Sequence, residues 1–263
     1  MSIGKNTRIS KGQSFSAYRK AKGLNYHTLA DWEKAPILAE MEQDDKPAMQ
    51  FGRAAHTYIL EGVKAFQKEW TVVDCATRNN NKFKETEGEK VTSPEFDQIF
   101  QMNKAVREHK AASKLLLEGD TEVGIYWEEI IGETNIQMKA RLDKVNETRR
   151  IIPDLKTTDD ASRPVYSNYI AKYGLGKQLA YYQRAALAAF DNYFAPVLVV
   201  IEKKPPHLIS IFMLDGDSQE KCREWVQDKL EEYSQWLQVP KAKRVMGYPE
   251  EIQEITLPPW AFK

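Results

Sequence analysis

The stretch of sequence that decides the fold runs from residue 123 to residue 158. It contains three largely apolar segments separated by two short polar ones, in the order VGIYWEEII (123–131), GETN (132–135), IQMKARLDKV (136–145), NETRR (146–150) and IIPDLKTT (151–158). In the middle segment apolar and polar residues alternate from Ile136 to Asp143. A period of two places the apolar side chains on one face of a half-buried strand. The stretch therefore predicts three strands joined by two tight turns.

Helical patterns surround these strands. Apolar residues recur at helical spacing in four regions, which are 25–65, 95–117, 177–193 and 217–238. Two further apolar segments, 195–204 and 207–214, have the composition of strands. Residues 77–94 are polar and rich in turn formers, which predicts a mobile loop. Together these elements predict an α/β fold, with a mixed central sheet flanked by helices, in one domain over residues 25–263.

The composition is that of a water-soluble globular protein. Of the 263 residues, 42% are hydrophobic and 29% are charged, which is ordinary for such a protein. No apolar run reaches the ~20 residues that span a bilayer, and the first residues lack the apolar core of a secretory signal. We therefore expect a cytoplasmic protein without membrane contact. The two cysteines, Cys75 and Cys222, are too few and too far apart for a disulfide framework, a cysteine zinc site or a four-cysteine iron–sulfur cluster.

Charge is balanced over the chain but not along it. There are 38 basic and 38 acidic residues, so the net charge gives no argument for a nucleic-acid partner. The N-terminal segment, residues 1–24, is nevertheless basic, and no acid occurs before Asp31. Such a segment is either a phosphate-binding arm or a solvated, partly disordered tail.

Two carboxylates and a lysine converge where the second and third predicted strands meet. With the second turn centred between residues 148 and 149, Asp143 lies opposite Asp154, and opposed side chains are ~5 Å apart. Lys156 shares the face of Asp154 because strand side chains repeat every two residues. Opposed like charges are destabilising unless something neutralises them, and carboxylate oxygens with a backbone carbonyl suit Mg²⁺ or Mn²⁺. Lys156 would then stabilise charge that develops on a phosphate.

An acid-x-lysine triplet is common in sequences, and other readings of this hairpin remain open. A solvated hairpin with cross-strand salt bridges explains the same residues. The triplet Glu202-Lys203-Lys204, also at the end of a predicted strand, is a rival site.

Other polar residues are weaker candidates. Gln178 and Tyr182 project from one helix face and could hold a DNA strand, or they could simply pack. His56 on a predicted helix is either a metal ligand or a structural histidine. The pair Glu128-Glu129 could add an acid to the site, but patterning does not decide which of the two faces it.

The ordered set of motifs resembles a known nuclease family. In sequence order the motifs are Gly52-x-x-x-His56 with Leu60-Glu61, Tyr126-Trp127-Glu128, Arg141-x-Asp143, Asp154-Leu155-Lys156-Thr157-Thr158, Gln178-x-x-x-Tyr182 and Leu257-Pro-x-Trp260-Ala261. Each motif is weak alone, but the series over residues 25–263 looks like the nuclease domain of RecE-type exonucleases (exonuclease VIII). These enzymes are a branch of the PD-(D/E)xK nuclease superfamily.

The resemblance implies specific roles for individual residues. His56, Asp143 and Asp154 would bind Mg²⁺, for which Mn²⁺ may substitute, with the Leu155 carbonyl as a further ligand. Together with these three side chains, Lys156 would be catalytic. Gln178 and Tyr182 would line the DNA strand. The family has a basic loop that usually carries paired arginines and a glycine. Residues 77–82 stand in its place here without that pattern. The candidate DNA contacts of this region are therefore less specific; they are Arg78, Lys82 and Lys84.

The resemblance also implies an activity and partners. RecE-type exonucleases degrade linear double-stranded DNA from the 5′ end and leave a 3′ overhang for a single-strand annealing (RecT-like) protein. They form rings, so a ring-forming homo-oligomer is expected. Two alternatives stay open: a structure-specific or restriction-type endonuclease on the same fold, and a non-catalytic DNA-binding recombination scaffold.

Overall fold

The computed structural model describes residues 4–41 and 46–262, and of Pro259 and Trp260 only the backbone. Residues 1–3 of the basic segment and the side chain of Trp260 in the closing motif therefore lie outside the described part. The strands are β1 (Lys5–Ser10), β2 (Trp70–Val73), β3 (Glu89–Thr92), β4 (Asp120–Ile131), β5 (Thr134–Val145), β6 (Ile151–Thr158), β7 (Ala195–Glu202) and β8 (Ile209–Phe212).

The helices agree with most of the predicted helical regions. They are α1 (Phe15–Lys20), α2 (Tyr26–Lys34), α3 (Pro36–Glu40), α4 (Pro47–His56), α5 (Val63–Glu69), α6 (Asn81–Glu85), α7 (Ser93–Glu108), α8 (Lys110–Leu117), α9 (Arg163–Tyr173), α10 (Leu175–Phe190) and α11 (Gly216–Gln238). A π-helical segment, Thr57–Glu61, continues α4, and short 3₁₀ turns lie at Lys241–Lys243 and Pro259–Phe262. Helix α9 was not predicted from the sequence.

The strands form two three-stranded sheets and one small pair. The first sheet has the order β1-β4-β5 and is antiparallel. The second has the order β6-β7-β8, with β6 and β7 parallel and β7 and β8 antiparallel. Strands β2 and β3 form a parallel pair. Helices pack against the sheets, so the predicted α/β fold with mixed strands and flanking helices is confirmed.

The hairpin that was expected to join β5 and β6 is only partly formed. The bridge between Asn146 and Ile151 has the predicted register at the turn. Beyond it β6 pairs with β7 instead of β5, so the predicted ladder that placed Asp143 directly opposite Asp154 is wrong. The physical reason is the burial of β6, whose residues 152–155 are all buried, so that the strand is suited to a covered sheet rather than to a half-exposed hairpin.

Strand β7 separates two hydrophobic cores. Val199 and Ile201 face the core made with α4, α7 and α8, whereas Leu198 and Val200 face the core made with α9 and α10. All four are essentially inaccessible to solvent. A third core packs β4 and β5 against α2, α10 and α11. Strand β6, which carries the predicted acid–lysine triplet, pairs along its whole length with the covered strand β7.

Within the basic N-terminal segment, which the sequence analysis left open as a phosphate-binding arm or a partly disordered tail, the described residues include β1 and α1. Strand β1 pairs with β4, for example Ile9 with Ile125. The buried Lys139 ammonium donates hydrogen bonds to the carbonyls of Tyr18 at 3.2 Å and Ala21 at 2.5 Å. A lysine buried in β5 thus holds the end of α1.

The segment 77–94, predicted to be a loop throughout, contains α6 and β3. Phe83 of α6 and Val91 of β3 are buried and anchor the segment.

Among the described residues, no helix combines the length and the apolar character that a membrane span requires.

Candidate active site

His56 ends α4 and reaches toward β5. Its Nδ1 atom lies 3.4 Å from Oδ2 of Asp143. Burial opposes protonation, but the charge of Asp143 and its hydrogen bond outweigh burial and raise the pKa of His56. Helix α4 packs close to β6 at Gly52, where an added Cβ would lie 4.0 Å from Oγ1 of Thr157, an ordinary van der Waals distance.

Asp143 connects the two sheets. Its Oδ2 atom accepts a hydrogen bond from the Leu155 amide at 2.8 Å. Burial alone would raise the pKa of Asp143, but His56, Lys156 and the Leu155 amide more than offset burial and lower it to about 2. Asp143 is therefore a carboxylate near neutral pH.

Asp154 and Lys156 lie together on β6. The Lys156 Nζ atom is 2.5 Å from Oδ2 of Asp154. Burial raises the pKa of Asp154, partly offset by Lys156. Burial works against the ammonium of Lys156, but Asp154 and Asp143 outweigh it and raise its pKa. The structure therefore brings Asp143, Asp154 and Lys156 into one electrostatic cluster, although not by the ladder predicted from the sequence.

Glu122 on β4 is a fourth acidic group that the sequence reasoning missed. It lies between the ladder pairs Thr121–Lys144 and Val123–Leu142, which places it across from Asp143, and its backbone is left-handed, with φ 50°. Ligand atoms of His56, Glu122 and Asp143 all lie within 4.8 Å of one another.

The environment of Glu122 is unusual for a carboxylate. Burial, only partly compensated by Arg141, raises the pKa of Glu122 to about 8. The Arg141 guanidinium lies 2.8 Å from Oε2 of Glu122, without the geometry of a hydrogen bond. A signal for Glu122 was present in the sequence. A two-residue turn at Gly132-Glu133, which the structure has, pairs residue 122 with residue 143.

The donor set fits a divalent cation. Oδ1 of Asp154 is buried without a hydrogen-bond partner, and Oδ2 of Asp154 and Oε2 of Glu122 are buried in ion-pair contacts that lack hydrogen-bond geometry. Buried acceptors without partners are costly, and a cation would satisfy them. A strand residue directs its N–H and C=O to the same side, so the Leu155 carbonyl faces the gap toward Asp143, as its amide does. Hard oxygen donors with one imidazole suit Mg²⁺ or Mn²⁺.

The Gln178–Tyr182 pair lies on α10. The Gln178 amide donates to the Tyr182 hydroxyl at 3.0 Å. Burial, together with the charges of Asp154 and Asp143, raises the pKa of Tyr182 well above its usual range. The hydroxyl is thus protonated and lies within electrostatic reach of the acidic cluster.

The three candidate DNA contacts in the 77–94 segment, Arg78, Lys82 and Lys84, differ in their partners and in their exposure. The Arg78 guanidinium is held by Glu95 at 2.6 Å and by Gln50 at 2.5 Å. Lys82 and Lys84 are exposed on α6. Arg78 therefore has structural partners, whereas the two lysines are open to solvent.

The remaining acids lie away from the cluster. Glu129 is fully buried and binds Arg184, and Glu128 binds Asn6 and Asn135 at the surface. Neither adds an acid to the site, which answers the question left open by patterning.

The rival triplet at residue 202 has structural contacts of its own. Glu202 accepts a hydrogen bond from the Ala161 amide at 2.9 Å. Lys203 pairs with Asp159 at 2.9 Å. These contacts anchor the connection between β6 and α9.

A fold of mixed strands and helices that brings an aspartate near the end of one strand, Asp143, beside Asp154 and Lys156 of the next strand is typical of the PD-(D/E)xK class. Residues 14–253 match the family described as "PDDEXK-like domain of unknown function (DUF3799)", and the chain belongs to this family. The match begins within the N-terminal segment that the sequence reasoning set apart.

A solved structure supports the fold. A protein from Eubacterium rectale described as a "Putative exonuclease" superposes with a TM-score of 0.60 at 13% identity, covering 92% of this chain and 97% of its own. The crystal structure of SSO0001 gives a TM-score of only 0.30 at 14% identity, covering 82% of this chain and 96% of its own. No curated protein matches the chain. The likeness to the Eubacterium rectale protein establishes the fold, and the membership of the superfamily follows from the family match.

Proposed function

We propose that the protein is a Mg²⁺-dependent exonuclease that degrades double-stranded DNA in the 5′-to-3′ direction. The observation that carries the proposal is the cluster of the buried Asp143 and Asp154 with the partly buried Lys156, in which Oδ1 of Asp154 has no hydrogen-bond partner and Oδ2 pairs with Lys156. An acidic site with oxygen donors and one ammonium group suits phosphodiester hydrolysis.

Each residue has a distinct task in this proposal. Asp143, Asp154, the Leu155 carbonyl, His56 and Glu122 would hold the cation, which supplies Lewis-acid polarisation of the phosphate when bound. The ammonium of Lys156, whose pKa is raised by the two aspartates, would donate to a phosphate oxygen or orient the attacking water.

Lys156 acts most strongly where negative charge develops. Because the site is largely buried, a fixed positive charge there stabilises the transition state more than it would in water. Gln178 and Tyr182 would hold the DNA strand beside this charge. Lys82 and Lys84 would contact the phosphate backbone farther away.

The direction of digestion, the product and the assembly rest on the resemblance to RecE-type exonucleases. In this proposal the product is a 3′ overhang that a RecT-like annealing protein takes up during recombination. The active form would be a ring of several copies. A mass-photometry peak at the 30.3 kDa of one chain, under conditions that support processive digestion, would argue against the ring.

The experiment that tests the function uses linear duplex labelled at either end, beside covalently closed circular duplex. We expect the 5′ label to be released first from linear DNA, the closed circle to survive, and excess EDTA to stop all digestion. Prior loss of the 3′ label would reverse the polarity. Cutting of the closed circle would favour the alternative of an endonuclease, and metal-dependent binding without any cleavage would favour a scaffold.

A further inference from the structure

His27 on α2 contacts the side-chain pair on α10 that faces the acidic cluster. Its Nε2 atom lies 3.3 Å from Nε2 of Gln178, the same amide nitrogen that donates to the hydroxyl of Tyr182. The sequence patterns did not single out His27, because it belongs to none of the motifs and lies about 150 residues before its partner.

The backbone of His27 is held firmly against α10. The neighbouring Tyr26 hydroxyl donates to the carbonyl of Gly174 at 2.7 Å. An added Cβ at Gly174 would lie 2.4 Å from this hydroxyl, so a glycine is needed for the contact. Asn25 caps α2 by accepting from the Thr28 amide at 3.1 Å. The start of α2 and the start of α10 therefore form one rigid unit.

The two hydrogen bonds of the Gln178 amide nitrogen, to His27 and to Tyr182, fix the orientation of the amide. An amide nitrogen has two hydrogens, and here one points to His27 and the other to Tyr182. A neutral imidazole accepts on one nitrogen while it donates on the other. With both hydrogens of Gln178 engaged, the hydroxyl hydrogen of Tyr182 stays free to donate.

The surroundings of the His27 ring agree with an acceptor role. The residue is exposed overall, but protein atoms around the ring desolvate it. This desolvation, together with the charge of Lys156, lowers the pKa of His27. The contact with Gln178 is therefore made by a neutral ring near neutral pH.

We propose that His27 is a positioning residue that holds the Gln178 amide, so that the Tyr182 hydroxyl donates to a phosphate oxygen of the DNA strand at the site. This role rests on the proposed nuclease function. Without His27, Gln178 would keep only Tyr182 as its partner, and both side chains would have to be ordered when DNA binds. The expected loss is in DNA affinity rather than in the chemical step.

The test compares three substitutions at one position. His27→Ala removes the ring, His27→Phe keeps a ring against Tyr26, which packs edge-on at 5.3 Å, and His27→Gln restores an acceptor. We expect Ala and Phe to raise both the Kd for a fluorescent linear duplex in EDTA and the KM for its digestion about tenfold, as for one lost hydrogen bond. Gln should recover most of this loss, while kcat and the melting temperature stay unchanged.

A matched control is His109→Ala, which removes the histidine that caps α8 through the Ala112 amide; it should lower the melting temperature and leave Kd unchanged. A Phe variant that binds like the wild type, or a Gln variant no better than Phe, would overturn the role of His27. Failure of the wild type to degrade DNA in any metal would instead overturn the proposed function, and the two failures are thereby distinguished.

Discussion

The carboxylate of Asp143 accepts a hydrogen bond from the backbone amide of Leu155 at 2.8 Å, across the gap where β5 and β6 have separated. The contact replaces the backbone ladder that an ordinary hairpin would have. It places an acid of one sheet beside the acid and the lysine of the other.

Asp154→Ala and Lys156→Ala should both abolish digestion, but for different reasons. Asp154 is a proposed ligand, so its loss should weaken Mn²⁺ binding as well as turnover. Loss of Lys156 should lower the rate by ~10²–10³ and spare Mn²⁺ binding, because it removes a positive charge from beside the cation. Calorimetric titration with Mn²⁺ and single-turnover digestion separate the two effects. Lys204→Ala is the matched control, and a dead Lys204 variant with a normal Lys156 variant would move the site to Glu202.

Glu122 should make the metal-free protein less stable as the pH rises. Burial raises the pKa of its carboxyl from 4.5 to about 8, so the folded state binds the proton more tightly than the unfolded state. The resulting stability is present below about pH 4.5 and is lost as the pH rises through about 8. Melting temperatures in EDTA should therefore fall less between pH 5 and 8 for Glu122→Gln than for the wild type. Equal pH slopes would show that Glu122 keeps an ordinary pKa.

Metal binding should offset the loss of stability that ionisation of Glu122 causes at higher pH. A cation that binds carboxylate displaces the Glu122 proton, so Mn²⁺ affinity should increase with pH up to about 8 in the wild type. In Glu122→Gln the affinity should be weaker, and the component of the pH dependence that belongs to this carboxyl should be absent. Calorimetric titrations at several pH values measure both effects, and affinity that is unaltered by the substitution would remove Glu122 from the ligand set.

Arg184→Met should destabilise the fold by about 3–5 kcal/mol, because it leaves Glu129 buried and unpaired. Glu129 is completely inaccessible to solvent and also accepts from Trp127 Nε1 at 3.2 Å. Urea unfolding in EDTA measures the change. The control is Lys104→Met, which breaks an exposed pair with Glu108 on α7 and should cost less than ~1 kcal/mol. Similar costs for the two variants would contradict the burial of the Glu129 charge.

Amides of β1 should be protected from hydrogen exchange. Residues 5–10 pair with β4, whereas the exposed residues 252–257 lie outside any helix or strand. We expect exchange in β1 to be at least about tenfold slower than in 252–257, because exchange there requires local opening. Mass spectrometry of peptic fragments measures both segments at once. Equal exchange rates would favour the alternative of a partly disordered N-terminal tail.

Much of the candidate site could be read from local sequence. The alternation in β5 identified Asp143 as a polar-face residue, and the position of Asp154 and Lys156 two residues apart on one strand placed them on one face. The spacing of Gln178 and Tyr182 placed both on one side of α10, and their hydrogen bond agrees with that. These inferences succeeded in placing the residues because strand and helix periodicities are properties of the chain itself.

The amino-acid sequence by itself determined the strands β4 to β8, the long helices and the residues that carry the acid–lysine pattern, because periodic burial is written into the order of the residues. Only the tertiary structure decided that β6 leaves β5 to pair with β7, that Glu122 lies across from Asp143, and that α2 lies against α10 with His27 at Gln178. These relationships join residues between about 20 and 150 positions apart. Which of many possible partners such residues meet depends on the packing of whole sheets and helices, and no local pattern records that choice.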